Sequence, residues 1–348
     1  MLPSEQIRSI GALVGAAIGD AAGTTNEFSN PHAPRYPTLM NGPQTDIVGG
    51  GPFDVAAGQI TDDTQMAVAL ARSVAANRRF DPDAVRSEYV RWLRTPPFDV
   101  GGTTFRSLTQ PVSGDDPLSG GRAVWESSGR SLASNGSLMR TWILGVAFCH
   151  DEEARREASL LDSAITHFDP ACRLACAIFN TAIAHAIVGE SPLDCAIAAS
   201  EELNASAERL RVLHPDLSDV IDSRRSELSR DLSLAHNDDP ELYGTETHLL
   251  GLAGYVRLAF RLAFWHLLHA KSYETSLVDV VNRGGDSDTN GCVVGALLGA
   301  RFGFAGIPER WVSVVLRAMS DRPSSPWWTH YHPRLLVSLL GLAEALPQ

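Results

Sequence analysis

The sequence has little positive charge for its length. Its 348 residues include 29 lysines and arginines against 41 aspartates and glutamates, which gives a formal net charge of −12 at pH 7. The isoelectric point is near 5.3. Proteins that bind a nucleic-acid backbone need a basic surface, so this composition argues against a nucleic-acid partner.

Cysteines are few and odd in number. The five thiols are scattered along the chain and do not make the even, closely spaced set of a disulfide framework. This usage predicts a reducing compartment, and we expect a cytoplasmic location. Cys172 and Cys176 lie four residues apart among apolar neighbours, which favours core thiols over a metal or redox pair.

Long hydrophobic runs are missing as well. No stretch reaches the roughly 18 to 20 apolar residues of a membrane-spanning helix, so no membrane span is expected. The apolar segment 11–19 resembles the core of a signal peptide. Glu5 offsets Arg8, however, so the segment lacks the positive charge that such a peptide carries before its core.

Glycines repeat every four residues near the N-terminus, at positions 11, 15, 19 and 23. No strand precedes them, and their spacing differs from the GxGxxG motif of dinucleotide-binding proteins. Four-residue spacing instead places them on one face of a helix, where small side chains let a second helix approach closely. Gly291, Gly295 and Gly299 repeat this spacing.

No segment shows the alternating pattern of a strand, and most of the chain has helical periodicity. We therefore predict a compact all-α fold, a single-domain multi-helix bundle that spans residues 1–348. Segments 30–59 and 95–119 are rich in proline and glycine and are predicted to be loops, and a polar stretch spans roughly 216–246. The predicted helices include 83–93, 171–188, 192–213, 249–270, 276–282 and 308–319.

Two acidic clusters, 61–64 and 286–289, each lie where a helix should begin. One alternative is helix capping, since aspartate and threonine are preferred N-cap residues. Capping explains one such residue per helix, but not two aspartates with flanking threonines in both places. Four aspartates can share a cleft at neutral pH only if cations lie between them. Hard oxygen ligands favour magnesium or manganese, so the clusters predict one metal site.

Five blocks follow one another along the chain: segment 10–23 with Glu27 and Phe28, then 58–66, 134–140, 165–167 and 281–289. In this order they resemble the signature blocks of the ADP-ribosylglycohydrolases. Segment 97–101 is similar to a further block of the bacterial branch that activates dinitrogenase reductase. The resemblance extends from about residue 8 to residue 312.

The resemblance implies a metal-dependent hydrolase with a central dinuclear cleft that holds two Mg²⁺ or Mn²⁺ ions. Such enzymes remove ADP-ribose from a modified protein side chain, which is arginine in the branch named above. The expected partners are an ADP-ribosylated protein or a small ADP-ribosyl substrate and the product ADP-ribose, and a monomer is expected. The residues that match the family's metal ligands are Thr61, Asp62, Asp63, Asp286, Asp288 and Thr289.

The resemblance also implies the catalytic residues. Cleavage at C1″ of the distal ribose passes through an oxocarbenium-like transition state, which nearby carboxylates stabilise. Two metals about 3.5 to 4 Å apart can hold the ribose hydroxyls and lower the pKa of a water. Asp99 matches an acid or base acting on the sugar, and Glu27 a carboxylate that activates water or supports the metals.

Substrate contacts are expected from further matched positions. Asn135, Gly136 and Ser137 could bind the diphosphate through backbone N–H groups and a hydroxyl, although a plain turn before a helix is the alternative. Gly101 and His167 match positions near the substrate, but a lone helical histidine is often structural. Tyr255 could stack on adenine or ribose, and simple core packing is its alternative.

Other readings of the sequence remain open. The chain could hydrolyse small free ADP-ribosyl compounds, which would favour a closed cleft, or it could be a non-catalytic relative that binds ADP-ribose. Gly102 departs from the dinitrogenase-reductase branch, which has an asparagine there. The aromatic segment 326–331 matches no block of the family.

Overall fold

The computed structural model describes residues 3–28, 43–114, 116–237, 239–320 and 324–342. Within these residues the chain forms fifteen α-helices and no sheet, with isolated β-bridges only. The prediction of an all-α fold is therefore confirmed. The helices are α1 (Pro3–Gly23), α2 (Asp62–Asn77), α3 (Pro82–Leu93), α4 (Gly102–Thr109), α5 (Ser119–Ser127), α6 (Leu138–Ala147), α7 (Glu152–Thr166), α8 (Pro170–Val188), α9 (Pro192–Leu213), α10 (Ser218–Leu234), α11 (Val256–His269), α12 (Tyr273–Asn282), α13 (Ser287–Phe302), α14 (Glu309–Arg317) and α15 (Arg334–Leu339).

Many of these helices begin where the local sequence specifies a start. At six N-termini the side chain of the N-cap residue accepts a hydrogen bond from a backbone N–H of the first turn. This contact satisfies a donor that has no partner within the helix. Three of the same helices have proline in the first turn, where a missing N–H costs nothing. The six capping residues are Thr61, Asp81, Asp151, Asp169, Ser191 and Ser272.

The two glycine faces pack against each other, which brings α1 and α13 into direct backbone contact. A Cβ atom added at Gly19 would lie 1.9 Å from the carbonyl oxygen of Gly291, and one added at Gly11 would lie 2.2 Å from that of Gly299. No side chain fits at such distances. This contact places the end of α1 beside the beginning of α13, where the acidic residues lie.

Helix α8 forms the centre of the hydrophobic core. By length and composition it is the one helix among the described residues that could cross a membrane, which corrects the expectation that no segment would qualify. However, 89% of its most apolar window is buried inside the protein, as in a core helix. Cys172 and Cys176 lie on this helix and are fully buried, and all five cysteines are free.

Two segments in which no helix was predicted contain one. Helix α4 lies within 95–119, so the prediction of a loop is wrong there, and α10 lies within the polar stretch 216–246. The predicted helix 192–213 has the same bounds as α9, whereas α11 begins at Val256 rather than at 249. The predicted loop 30–59 lies partly outside the described residues.

The aromatic segment near the C-terminus packs on α2, the helix that begins with the first acidic cluster. Residues Trp327–Tyr331 form one π-helical turn, and the side chain of Tyr331 is buried. The guanidinium of Arg72 on α2 lies over the Tyr331 ring, 5.2 Å from its centre. This contact anchors the far end of α2 and leaves its N-terminus to face the cleft.

Candidate active site

A cleft of about 300 Å³ opens where the N-termini of α2 and α13 meet the turn after α1 and the start of α4. Both acidic clusters contribute to it, so segments far apart in the sequence are brought together as predicted. Six carboxylates from four segments line the cleft: Glu27, Asp62, Asp63, Asp99, Asp286 and Asp288.

The carboxylates crowd one another. Oxygen atoms of Glu27, Asp99 and Asp288 all lie within 4.8 Å of one another. Two buried oxygens in the cleft, Glu27 Oε2 and Asp63 Oδ1, have no hydrogen-bond partner. A buried carboxylate oxygen without a donor costs free energy unless a cation compensates it.

Burial raises the pKa of every one of these carboxyl groups, and repulsion from neighbouring carboxylates adds to the shift in all of them except Asp286. Burial is the largest cause for Glu27, followed by the charge of Asp99 and then of Asp286, and together they raise its pKa to about 9. Burial, with repulsion from neighbouring aspartates, also raises the pKa values of Asp62, Asp63 and Asp288 well above their ordinary range. Burial raises the pKa of Asp99 and of Asp286 too.

These observations fit a site for divalent cations. The donor set consists of hard oxygen atoms, it carries more negative charge than the cleft can tolerate, and it leaves buried oxygens without donors. The tightest cluster contains Asp288 of the predicted ligand set, together with Glu27 and Asp99, which the sequence suggested as catalytic residues. The candidate ligands and the candidate catalytic groups therefore share one small volume.

The two threonines predicted as metal ligands differ in their position relative to the cleft. Thr289 lines the cleft, and its hydroxyl donates to Asp63 Oδ2 at 3.4 Å. The Thr61 hydroxyl donates to the same oxygen at 3.2 Å and accepts a hydrogen bond from the Asp63 N–H. Thr61 is fully buried and is not among the residues that line the cleft.

Asp20 is a site residue that the sequence analysis did not single out. Its carboxylate accepts hydrogen bonds from the backbone N–H groups of Thr61, at 3.0 Å, and Thr64, at 3.1 Å. It thus fastens the N-terminus of α2 to α1 from behind the cleft. Burial raises the pKa of Asp20 to about 6, although the hydrogen bonds from Thr64 and Thr61 oppose this shift.

The loop that leads into α4 borders the opposite wall. The N–H of Gly101 donates to Asp62 Oδ2 at 3.3 Å, which connects this loop to the first acidic cluster. Gly101 and Gly102 both line the cleft and are exposed. A Cβ atom at Gly102 would meet nothing within 4 Å, so the cleft is wide at this point.

The predicted diphosphate loop forms the short helical turn Asn135–Ser137 before α6. Asn135 and Gly136 line the cleft, and Asn135 Nδ2 donates to Asp286 Oδ2 at 2.8 Å. The N–H of Asn135 is already engaged with Gly254 O at 2.9 Å. The hydroxyl of Ser137 is fully buried and accepts a hydrogen bond from Ser163 at 2.9 Å, so Ser137 supports the loop from behind.

His167 connects this loop to α7. Its Nε2 lies 2.9 Å from the Ser134 hydroxyl, and its Nδ1 lies 2.8 Å from the Thr166 hydroxyl. Burial and the charge of Arg140 lower the pKa of His167 well below its ordinary value, so the imidazole is neutral. It lines the cleft beside Gly136, where a Cβ atom would lie 2.9 Å from the ring.

Tyr255 lies outside the acidic cleft and lines a neighbouring cavity of about 590 Å³. The two cavities share Ser134 and Gly254 in their walls, so they lie side by side. Arg130 and Arg224 also line the second cavity. A ligand with a sugar at the carboxylates could therefore extend past the Asn135–Ser137 turn towards Tyr255.

The family model described as ADP-ribosylglycohydrolase matches residues 1–338. The chain belongs to the ADP-ribosylglycohydrolase family. The match covers all six cleft carboxylates and the predicted diphosphate turn. The members of this family are enzymes and are in general metal-dependent, and the cluster of Glu27, Asp99 and Asp288 is a candidate for binding a cation.

Curated relatives of this ADP-ribosylglycohydrolase include enzymes with different substrates. The ADP-ribosyl-[dinitrogen reductase] glycohydrolase of Rhodospirillum rubrum is 29% identical, and the alignment covers 89% of this chain and 91% of the relative. The ADP-ribosylarginine hydrolase Tri1 of Pseudomonas putida is 30% identical over 88% of this chain and 74% of its own. Human ADP-ribosylhydrolase ARH3 is 25% identical over 86% and 87%.

A solved structure confirms the fold. A chain of an ADP-ribosylglycohydrolase-related protein complex superimposes with a TM-score of 0.71 and 25% identity, and 99% of each chain is covered. The protein is thus a hydrolase that removes ADP-ribose, with an ADP-ribosylated protein as the kind of substrate on which its relatives act.

Proposed function

We propose that this protein is a metal-dependent hydrolase that releases ADP-ribose from an ADP-ribosylated protein side chain, with arginine as the favoured acceptor. The observation that carries the proposal is the convergence of six carboxylates from four segments on one cleft. The bond cleaved is the glycosidic bond at C1″ of the distal ribose.

The cleft would hold two Mg²⁺ or Mn²⁺ ions through Asp62, Asp63, Asp286 and Asp288, with the hydroxyl of Thr289 close by. Thr61 would act by orienting Asp63. Bound divalent cations neutralise the carboxylates, hold sugar hydroxyls and lower the pKa of a water. The two buried oxygens without donors, on Glu27 and Asp63, support this assignment.

Asp99 would handle the proton on the leaving-group side. A guanidine leaves readily only if it is protonated as the C–N bond breaks, which requires a general acid. The raised pKa of Asp99 favours the protonated form that can donate. Glu27, one of whose oxygens lies within 4.8 Å of an oxygen of Asp99, would accept a proton from the attacking water once bound cations offset the burial and repulsion that raise its pKa to about 9. We propose direct displacement by water, without a covalent intermediate on the enzyme.

The remainder of the substrate would extend from the acidic cleft into the adjacent cavity. Gly136 and the Ser134 hydroxyl border the acidic cleft where the diphosphate should pass, and neutral His167 holds that hydroxyl in place. Adenosine would reach the second cavity, where Tyr255 offers an aromatic face.

The open mouth of the cleft supports a protein substrate rather than a small enclosed one. Phe28, Gly102 and Arg106 line the mouth, and all three are exposed. A modified side chain can therefore reach the carboxylates while its protein stays outside. The similarity to an ADP-ribosylarginine hydrolase supports arginine as the acceptor.

A substrate panel tests the proposal. ADP-ribosyl-arginine peptide, ADP-ribosyl-serine peptide and a free ADP-ribosyl ester would each be incubated with the protein in Mg²⁺, in Mn²⁺ and in excess chelator. We expect release of ADP-ribose, fastest from the arginine peptide, and loss of turnover in chelator that is restored by added metal. Full activity in chelator would overturn the metal requirement, and a faster rate on serine or ester would overturn the arginine preference.

A further inference from the structure

Phe28 has a backbone conformation that its residue type rarely adopts. Its φ angle is +55°, in the left-handed region, where a bulky aromatic residue is an outlier. The N–H of Phe28 donates to Gly285 O at 2.7 Å, directly before Asp286. The strained turn is therefore fastened to the second acidic cluster. Strained residues of this kind are concentrated at functional sites.

The ring of Phe28 does not serve the core. Its side chain is 62% exposed, compared with 47% for Phe105 and 36% for Phe98. It pairs with none of the described aromatic rings and is not part of the hydrophobic core. It does line the acidic cleft, next in the chain to Glu27.

The position of the ring indicates which part of a substrate it could meet. The oxygens of Glu27, Asp99 and Asp288 mark where the glycosidic bond must lie, and the adenosine side extends the other way, past Ser134 and Gly254. A group attached at C1″ and leaving towards solvent would pass the exposed mouth, where Phe28 lies. The face of an aromatic ring attracts cations, and the planar guanidinium of arginine stacks on it especially well.

The charge of the cleft permits a cationic leaving group. Apart from the neutral His167, Arg106 is the only basic side chain among the described residues that line this cleft, and it is exposed. Its Nε is held by the carbonyl oxygen of Gly102 at 3.1 Å. With Asp99 protonated as the general acid, the other five carboxylates balance the combined charge of two divalent cations and Arg106. The cleft therefore carries no net positive charge that would repel a guanidinium near Phe28.

We propose that the ring of Phe28 forms the leaving-group wall of the cleft and stacks on the guanidinium of ADP-ribosyl-arginine, which makes Phe28 a specificity-determining residue. This inference rests on the proposed function. It adds that preference for arginine over a neutral hydroxyl acceptor such as serine depends on this ring.

Four proteins would test the inference: the wild type and the variants Phe28→Leu, Phe28→Tyr and Phe105→Leu. Phe28→Leu removes the aromatic face but keeps an apolar side chain, and Phe28→Tyr keeps the face. Phe105→Leu is the matched control, because Phe105 is 47% exposed but does not line the cleft. The measurement is kcat/KM on two peptides of equal sequence, one ADP-ribosylated on arginine and one on serine.

We expect Phe28→Leu to lower kcat/KM on the arginine peptide about tenfold, as loss of one good cation–π contact would, and to change the serine value by less than about threefold. Phe28→Tyr and Phe105→Leu should resemble the wild type. Equal loss on both peptides, or no loss on arginine, would overturn the inference and leave the hydrolase function standing. If the wild type cleaves neither peptide, the proposed function itself fails, whatever the variants do.

Discussion

Asp99 offers the clearest test of chemistry at the scale of one residue. It lies before the Gly101 turn, and its pKa is raised by burial first and then by Asp286. We expect Asp99→Asn to bind ADP-ribose normally, because the diphosphate turn is untouched, but to cleave at least about 10²-fold more slowly, the usual effect of a positioned acid or base. Calorimetry of ADP-ribose binding and single-turnover rates would measure the two effects separately.

The control for this variant is Asp83→Asn, which removes a charge from an exposed position on α3, outside the cleft. Its rate and affinity should equal those of the wild type. An unchanged rate for Asp99→Asn on every substrate of the panel would show that another residue is the acid. Glu27 would then be the first candidate, because its oxygens share the same small volume.

Single residues also show what the sequence could and could not predict about the site. The aspartates at 62, 63, 286 and 288 were predictable because each pair lies close together in the sequence and their charge demands compensation. Asp20 was not, because its partners are backbone N–H groups of a segment 41 residues away, which no local pattern marks. The left-handed backbone conformation of Phe28 could not be predicted either, because phenylalanine rarely adopts a positive φ angle.

At the scale of elements, the contact between α1 and α13 positions the site. We expect Gly19→Ala to destabilise the fold by about 3 kcal/mol or more, because the added methyl would overlap the backbone of Gly291 and force the two helices apart. Activity should fall as well, since Asp288 lies within this contact, against Gly23, and Glu27 follows shortly after the end of α1. Urea unfolding monitored by circular dichroism would measure the loss of stability.

Gly244→Ala is the control variant for this prediction. Gly244 is exposed, and a Cβ atom there meets nothing within 4 Å. Its stability should stay within about 0.5 kcal/mol of the wild type, as is usual for surface substitutions. If Gly19→Ala were as stable as Gly244→Ala, the close approach of α1 and α13 would be wrong.

The elements that the sequence did not predict have weak local signals. Helix α10 is 17 residues long but buries only Ile221, Leu228, Asp231 and Leu232, so its apolar periodicity is faint. Helix α4 begins with glycine and two threonines, which are poor helix formers, and packing of Thr104, Ser107 and Leu108 holds it in place. The glycine faces of α1 and α13 were visible in the sequence, whereas their mutual contact depends on the whole fold.

At the scale of the whole molecule, the acidic cleft opposes folding when no cation is bound. The folded chain holds a proton on Glu27 up to a pKa of about 9, against 4.5 for the ordinary group, so between these values it binds more protons than the unfolded chain. Stability is therefore lost as pH rises through this window, at roughly 1.4 kcal/mol per pH unit for each extra proton held. His214 and His332, with pKa values lowered to about 4, act in the opposite direction. Their effect is complete above about pH 7, because an unfolded histidine has lost its proton there.

These signs predict how pH and metal act together. In chelator, the melting temperature should fall between about pH 7 and pH 8.5 as the cleft carboxylates lose protons. In excess Mg²⁺ the fall should be smaller, because a cation that binds only the folded state stabilises it and competes better with protons as pH rises. Glu27→Gln should flatten the curve in chelator. Parallel curves with and without Mg²⁺ would contradict a cation among these carboxylates, since their charge would then be compensated in some other way.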